Sequence, residues 1–341
     1  MKTAKEILAI KEPELIYTND PFTAEKELKE FKIAWHPDKN KDPLAVEVLQ
    51  HLTDLHNKAI EKMKIGIWSV PGTLQLRDRI TAQVYEIKYV KEHKFELGIM
   101  YMGKSTVTFL IENNYRDLYE SAIKQIKGFK YKSPDMQKEV SRYLPSIKKQ
   151  FETTTHCVLA VDKTPDLILL RDVYEKLGNL DPKHVAWIMS SLYNLTCYFK
   201  VSKLTHNNIS LDTYFISPQY HSGVLLGGWW YNSPVDSVMK ALPEKTLNCV
   251  PSDILVSKKS NARIDLELIR GLGRELLTGD INKISLLRKS GAPKPLIDWL
   301  AFGSIGNAIE EYAKWQTCLK DSFGPRKFIK MNLPFEVVYN V

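Results

Sequence analysis

ARIDLELIRGLGRELLTGD, residues 262–280, reads as one long helix over 262–278, and three further segments, 182–203, 294–302 and 306–320, carry long helical patterns of the same kind. Upstream the texture differs. Residues 84–90 (VYEIKYV), 95–102 and 106–112 (TVTFLIE) are short, β-branched and aromatic, as in a strand meander. A helix is expected around 135–150, then two strands over 156–161 (HCVLAV) and 167–171 (LILLR). A strand-rich part followed by a helix-rich part predicts an α+β chain of two lobes. There are no internal repeats and no low-complexity segment.

Ahead of the strands everything reads helical. Asp20 followed by Pro21 makes an N-cap and first-turn pair. Ala24, Leu28, Phe31 and Trp35 then recur at spacings of 4, 3 and 4, which is one helix face. Lys26 and Lys29, with Ile33 between them and Lys32 at the edge, fall on the opposite arc. Pro37 ends this helix, because it disfavours helical geometry at His36. A second helix from about Pro43 carries Leu44, Val48, Leu52, Leu55, Ala59 and Met63 on one stripe. Two antiparallel helices are therefore expected, joined by a loop holding His36, Pro37 and Asp38. Two glycines and a proline in KIGIWSVPGT (64–73) then interrupt the pattern, so 67–74 is expected to be a linker.

Composition narrows the function classes. With 44% hydrophobic and 26% charged residues the chain is that of an ordinary globular protein. No apolar run approaches a membrane span, and only four apolar residues in MKTAKEILAIKEPE precede charge, so neither a membrane partner nor a secretory signal is expected. The four cysteines, Cys157, Cys197, Cys249 and Cys318, lie far apart without metal-ligand spacing, which fits free thiols in a reducing cytoplasm. His51 and His56 are five apart, which rotates them away from a shared helix face, so no metal site is expected. Net charge is +8, and residues 1–70 hold eleven lysines against twelve acids, leaving about +9 for the rest. Between Tyr115 and Gln150 nine basic residues face four acids, with Tyr115, Tyr119, Phe129, Tyr131 and Tyr143 interleaved. Such a stretch suits nucleic acid, although a solvated helix face is the simpler account.

The N-terminal segment resembles the J-domain of the DnaJ co-chaperone family. AKEILAI (4–10) is similar to the family's opening helix, HPDKNKDP (36–43) to its loop, and NKAIEKM (57–63) to its following helix, with Ile60 where tyrosine is usual. The resemblance implies a surface of His36, Pro37, Asp38, Lys39, Lys26, Lys29 and Ile33 that engages a DnaK-type chaperone and stimulates its ATPase. It implies further that the aspartate contacts an arginine of that partner. The residues by themselves agree: lysines around an exposed loop favour fast, salt-sensitive association with an acidic patch.

Residues from about 75 to 325 resemble the protein-kinase fold. KLTHNNISLDTYFI (203–216) is similar to the catalytic loop, GVLLGGWWY (223–231) falls at the magnesium-binding segment, and CVPSDIL (249–255) is similar to the "A-P-E" segment. ARIDLELIRGLGRELLTGD closely resembles the family's helix of that position. The chemistry-bearing residue types are missing. His206 is kept, but Asn208 stands at the catalytic base, Ser210 at the loop lysine and Thr213 at the metal-binding asparagine. Gly227 replaces the magnesium-binding aspartate, Leu110 lies nearest the phosphate-binding lysine, and Ser252 replaces the glutamate of "A-P-E". Phosphoryl transfer depends on a positioned base and metal-held phosphates. The resemblance therefore implies a pseudokinase without cofactor or metal, in which Asp265 is kept as a structural brace of the loop backbone.

The expected organisation is a J-domain (1–66), a linker (67–74), a β-rich small lobe (75–179) and an α-rich large lobe (180–341). The favoured function is a cytoplasmic co-chaperone adaptor whose kinase-like part binds an unknown client. Two other classes stay open. One is an atypical nucleotide-dependent enzyme, since GIMYMGKS (98–105) satisfies the P-loop pattern, although its bulky spacer suits a hairpin turn better. The other is a nucleic-acid adaptor using residues 115–150. Trp229 and Trp230, the pair His156–Cys157, and Glu139 are weaker candidates, the last lying near where a kinase pairs its lysine.

Overall fold

Asp20 caps the first long helix, its carboxylate accepting from the Thr23 amide at 2.8 Å, with Pro21 in the first helical position. In the computed structural model, which describes residues 2–341, this helix is α2 (Pro21–Ala34), between α1 (Ala4–Leu8) and α3 (Ala45–Ile65). Strands β1 (Ile67–Val70), β2 (Thr73–Arg77), β3 (Val84–Lys88), β4 (Lys91–Phe95), β5 (Gly98–Met102) and β6 (Thr106–Glu112) follow. Next come α4 (Arg116–Lys127), α5 (Pro134–Val140), β7 (Ile147–Glu152), β8 (His156–Asp162) and β9 (Ile168–Leu169). The remainder is mainly helical: α6 (Leu170–Leu177), α7 (Pro182–Ser202), β10 (Leu204–Thr205), β11 (Tyr214–Ser217), β12 (Ser222–Leu225), β13 (Ser233–Pro234), α8 (Glu244–Leu247), α9 (Ser252–Ser257), α10 (Ala262–Thr278), α11 (Lys294–Ala301), α12 (Ala308–Phe323) and α13 (Phe335–Tyr339). Among the described residues, no helix is long and apolar enough to cross a membrane.

The chain divides into two units. The first takes residues up to Lys104 with Thr108–Asn114 and Lys149–Leu159, and the second takes Ser105–Val107, Tyr115–Lys148 and Ala160–Val341. This differs from the expected lobes, because α4, α5 and residues 160–179 belong with the helical unit.

In the first unit, residues 67–74 are not a linker. Gly66, at φ +76°, closes α3 on the Lys62 and Met63 carbonyls, and β1 then pairs antiparallel with β2 across Pro71–Gly72. Gly72 has φ +80°, so the proline and glycine that read as an interruption form a two-residue hairpin turn. Alternation along these strands gives the sheet two packed faces. Trp68 is 5% exposed and packs with Tyr17, Ala24, Leu28, Leu55 and Ala59 of the helices. Leu74 and Leu76 face the other way, into a core with Tyr101, Leu110, Phe151 and Val158. Gln75, between them, accepts from Asn19 Nδ2 at 2.8 Å. Lys62 adds a tie at the seam, pairing with Glu12 at 2.9 Å and Glu14 at 2.7 Å.

A second sheet runs in the order β4-β5-β6-β8-β7. The P-loop pattern lies inside it. Residues 98–102 are β5, 106–112 are β6, and the neighbouring strands are joined by Gly103–Ser105, so no helix opens after Lys104. Gly98 has a packing reason of its own, since a Cβ there would lie 1.9 Å from the Leu110 carbonyl oxygen. The helix expected over 135–150 stops at Val140, and Ile147–Glu152 is strand β7. Pro145 separates the two.

In the second unit α7, α10 and α12 pack together around Tyr193, Trp299 and Trp315. Arg270 and Glu311 form an ion pair in this core, with side chains 3% and 0% exposed. Arg270 also donates to the Phe302 carbonyl at 2.8 Å and lies over the Trp299 ring, so neither buried charge lacks a partner.

Candidate functional site

Two places collect the candidate residues. In the first unit, α2 ends at Ala34 and the chain turns at His36. The Lys39 and Asn40 amides donate to the His36 carbonyl at 2.9 and 2.8 Å. Asn40 Nδ2 donates to the Ala34 carbonyl at 3.1 Å, satisfying a helix-end acceptor, while its Oδ1 accepts from the Asp42 amide at 2.9 Å. Asp42 Oδ1 in turn accepts from the Leu44 amide at 2.9 Å. The loop is thus fastened at its base, and His36, Pro37, Asp38 and Lys39 are exposed. His36 Nδ1 accepts from the Asp38 amide at 3.3 Å, which leaves Nε2 as the ring's donor. The Asp38 carboxylate, 88% exposed, lies 3.6 Å from Nδ1.

Lys26, Lys29 and Ile33 lie on the outward side of α2, and all three are exposed. The other histidines here serve the packing. His51 Nε2 bonds the Ile10 carbonyl at 2.8 Å, and buried His56 sits edge-on to Tyr17 with Glu25 at 3.6 Å. Among the described residues no group of three or more His, Cys, Asp or Glu is placed to hold a metal ion.

In the second unit, the segment after α7 is held from several sides. Both oxygens of Asp265 accept backbone bonds, from the His206 and Asn207 amides, each at 2.8 Å. His206 is fully buried; its Nε2–H donates to the Gly227 carbonyl at 3.0 Å and its Nδ1 accepts from the Asn208 amide at 3.3 Å. Burial pushes its pKa down to about 3, against the pull of the Gly227 carbonyl, so the ring is neutral. Burial pushes the Asp265 carboxyl up to about 7, opposed by its two amide donors. Thr213 Oγ1 donates to the Asn208 carbonyl at 2.8 Å and accepts from the Ser210 amide at 3.0 Å, so its hydroxyl serves the loop itself.

His206, Thr213, Gly227 and Gly228 take part in the packing of the loop itself. A Cβ on Gly227 would meet Thr213 Cα at 3.3 Å, and one on Gly228, at φ +82°, would meet His206 Cε1 at 2.6 Å. Trp229 fills the neighbouring space, edge-on to His206 at 4.7 Å and to Phe129 at 4.9 Å, with its indole N–H on the Leu225 carbonyl. Trp230 is buried with it, so the tryptophan pair is core rather than groove. Leu110 is core in the first unit, and Ser252 is exposed at the start of α9. Its neighbour Asp253 pairs with Arg263 at 3.0 Å.

Asp212 is a loop residue that the sequence reading missed. It is the only carboxylate in residues 206–213. Arg171 binds it through two bonds of 2.8 and 3.0 Å and Lys245 through one of 2.6 Å. Burial raises its pKa, but these cations outweigh burial and hold the carboxyl at about 2. Arg171 also reaches Glu275 at 3.2 Å, so the cluster ties α6, this loop, α8 and α10 together. No local spacing signals a contact between residues so far apart in the chain.

The remaining candidates do not assemble into sites. Cys157 is buried with its thiol 3.6 Å from Asn113 Oδ1, while His156 bonds Thr155. Glu139 pairs with Arg142 at 2.8 Å on the surface. In the basic stretch Phe129 packs on Trp229, Tyr131 stacks on Tyr198 and Tyr119 is buried. Lys124, Lys127, Lys130 and Lys132 stay exposed, so this surface offers charge without those rings as a stacking platform.

The chain is similar to a solved structure of vaccinia related kinase 3, with a TM-score of 0.51 and 14% sequence identity, over 78% of this chain and 95% of that one. The fold is kinase-like. No protein-family model and no curated protein matches the sequence.

Proposed function

We propose that the chain is a J-domain-type co-chaperone adaptor: the His36–Asp38 loop recruits a DnaK-type chaperone and stimulates its ATPase, and the kinase-like part binds a client without catalysing phosphoryl transfer. The observation that carries this reading is the loop, fastened through Asn40 and Asp42 at its base while His36, Pro37 and Asp38 remain exposed. Lys26, Lys29 and Lys39 supply positive charge beside it, suited to an acidic partner. The absence of phosphoryl transfer is argued from residue types. Asn208 is an amide where a base is needed, Gly227 has no side chain to ligate magnesium, and Asp212 is held by Arg171 and Lys245 at a pKa of about 2, too low for an effective base.

The test is ATP turnover by a DnaK-type chaperone in the presence of the full chain. Stimulation is expected from the wild type and not from His36→Gln. A wild type that leaves turnover unchanged would end the proposal, and magnesium-dependent transfer of phosphate by the chain alone would end its second half.

A further inference from the structure

α2 carries apolar residues on two opposite faces, and only one of those faces is buried. Ala24, Leu28, Phe31 and Trp35 point into the helical cores. Phe22, Lys26, Lys29 and Ile33 repeat the same 4, 3, 4 spacing two residues earlier, which at 100° per residue sets them diametrically opposite the core. Phe22 is 71% exposed and Ile33 61%. A helix lying on a core has reason to keep its outer face polar. Here an apolar residue stands at each end of that face, with two lysines between, over about 16 Å of helix.

Phe22 neither caps the helix nor enters its core. The cap is made by Asp20 on Thr23, and Ala24 makes the first core contact. The Lys26 ammonium lies 4.5 Å from the centre of the Phe22 ring, so charge and aromatic surface are presented together. Lys29 pairs with Glu25 at 4.0 Å, and exposed pairs of that length hold a lysine weakly.

We propose that Phe22 is an anchoring contact of the docking face, so that the partner carries an acidic patch flanked by two apolar depressions, one for Ile33 near the loop and one for Phe22 at the far end. This rests on the co-chaperone reading and extends the docking face by about one helical turn beyond Lys26. Charge complementarity sets the approach, and the two apolar ends set the register and the lifetime of the complex.

The experiment titrates the full chain into a DnaK-type chaperone with ATP, at low and at high salt, and reads the half-saturating concentration. Phe22→Ala is expected to raise it by about 10-fold at both salt concentrations, and Phe22→Leu by much less. Lys26→Ala is expected to raise it at low salt only, because exposed charge is screened. Val256→Ala, at an 84% exposed position in the second unit, is the control and is expected to titrate like the wild type. Phe22→Ala that also titrates like the wild type would overturn the anchor and leave the docking reading standing. A wild-type chain without stimulation would overturn both.

Discussion

Asp265 holds His206 by its backbone at 2.8 Å, and burial displaces the two side chains' pKa values in opposite directions. The carboxyl is raised to about 7, so the folded chain keeps a proton that the unfolded chain releases near pH 4. Its contribution to stability is complete in acid and is lost as pH rises toward 7. The imidazole is lowered to about 3, so its contribution is complete above pH 6.5 and is lost as pH falls.

Between about pH 4 and 6.5 these slopes oppose each other, each at about 1.4 kcal/mol per pH unit. Asp265→Asn removes one of them. The cost of that substitution, measured by urea unfolding, is expected to be greatest near pH 4 and to shrink as pH rises to 7. A cost that is the same at every pH would show that Asp265 is ionised throughout.

Gly228 tests how tightly the loop closes. Gly228→Ala meets both a positive φ and a 2.6 Å approach to His206, and is expected to cost roughly 2–4 kcal/mol. Gly66→Ala shares the left-handed geometry, at φ +76°, but its nearest neighbour is Arg77 Cβ at 3.3 Å, so it reports mainly the backbone cost, about 1–2 kcal/mol. Gly227→Asp, crowded by Thr213, is expected to create no magnesium-dependent thermal shift with ATP. Equal costs for the two alanine variants, or a clear shift for the aspartate, would contradict the packing described.

Trp68 tests the join between helices and strands. Trp68→Ala leaves a cavity among Tyr17, Leu28, Leu55 and Ala59, and is expected to cost about 3–5 kcal/mol. Hydrogen exchange should then rise in α2, α3 and β1–β3 together. Faster exchange confined to the helices would mean that they open as a separate module.

The features legible in the sequence are those with local causes. Pro37 forces α2 to end before the loop, Asp20–Pro21 starts it, and the 4, 3, 4 spacing names its buried face. The long helices appear within a few residues of their expected bounds because their apolar periodicity runs unbroken. The sequence misleads where a local signal has two meanings. Pro71–Gly72 reads as a break, yet Trp68 and Leu74 on opposite sheet faces make it a hairpin turn. The interleaved aromatics of 115–150 read equally as stacking platform or core until Phe129 is seen against Trp229.

By itself the sequence determined where the exposed His36–Asp38 loop lies and which residue types are missing from the kinase-like loop, because chain direction and residue identity suffice for both. The brace of Asp265 on the loop backbone is implied by the resemblance; only the tertiary structure decided that Arg171 and Lys245 pair with Asp212 and that Trp68 joins the helices to the first sheet. Those contacts are made by residues tens of positions apart, and their strength comes from shared burial, which no spacing rule along the chain encodes.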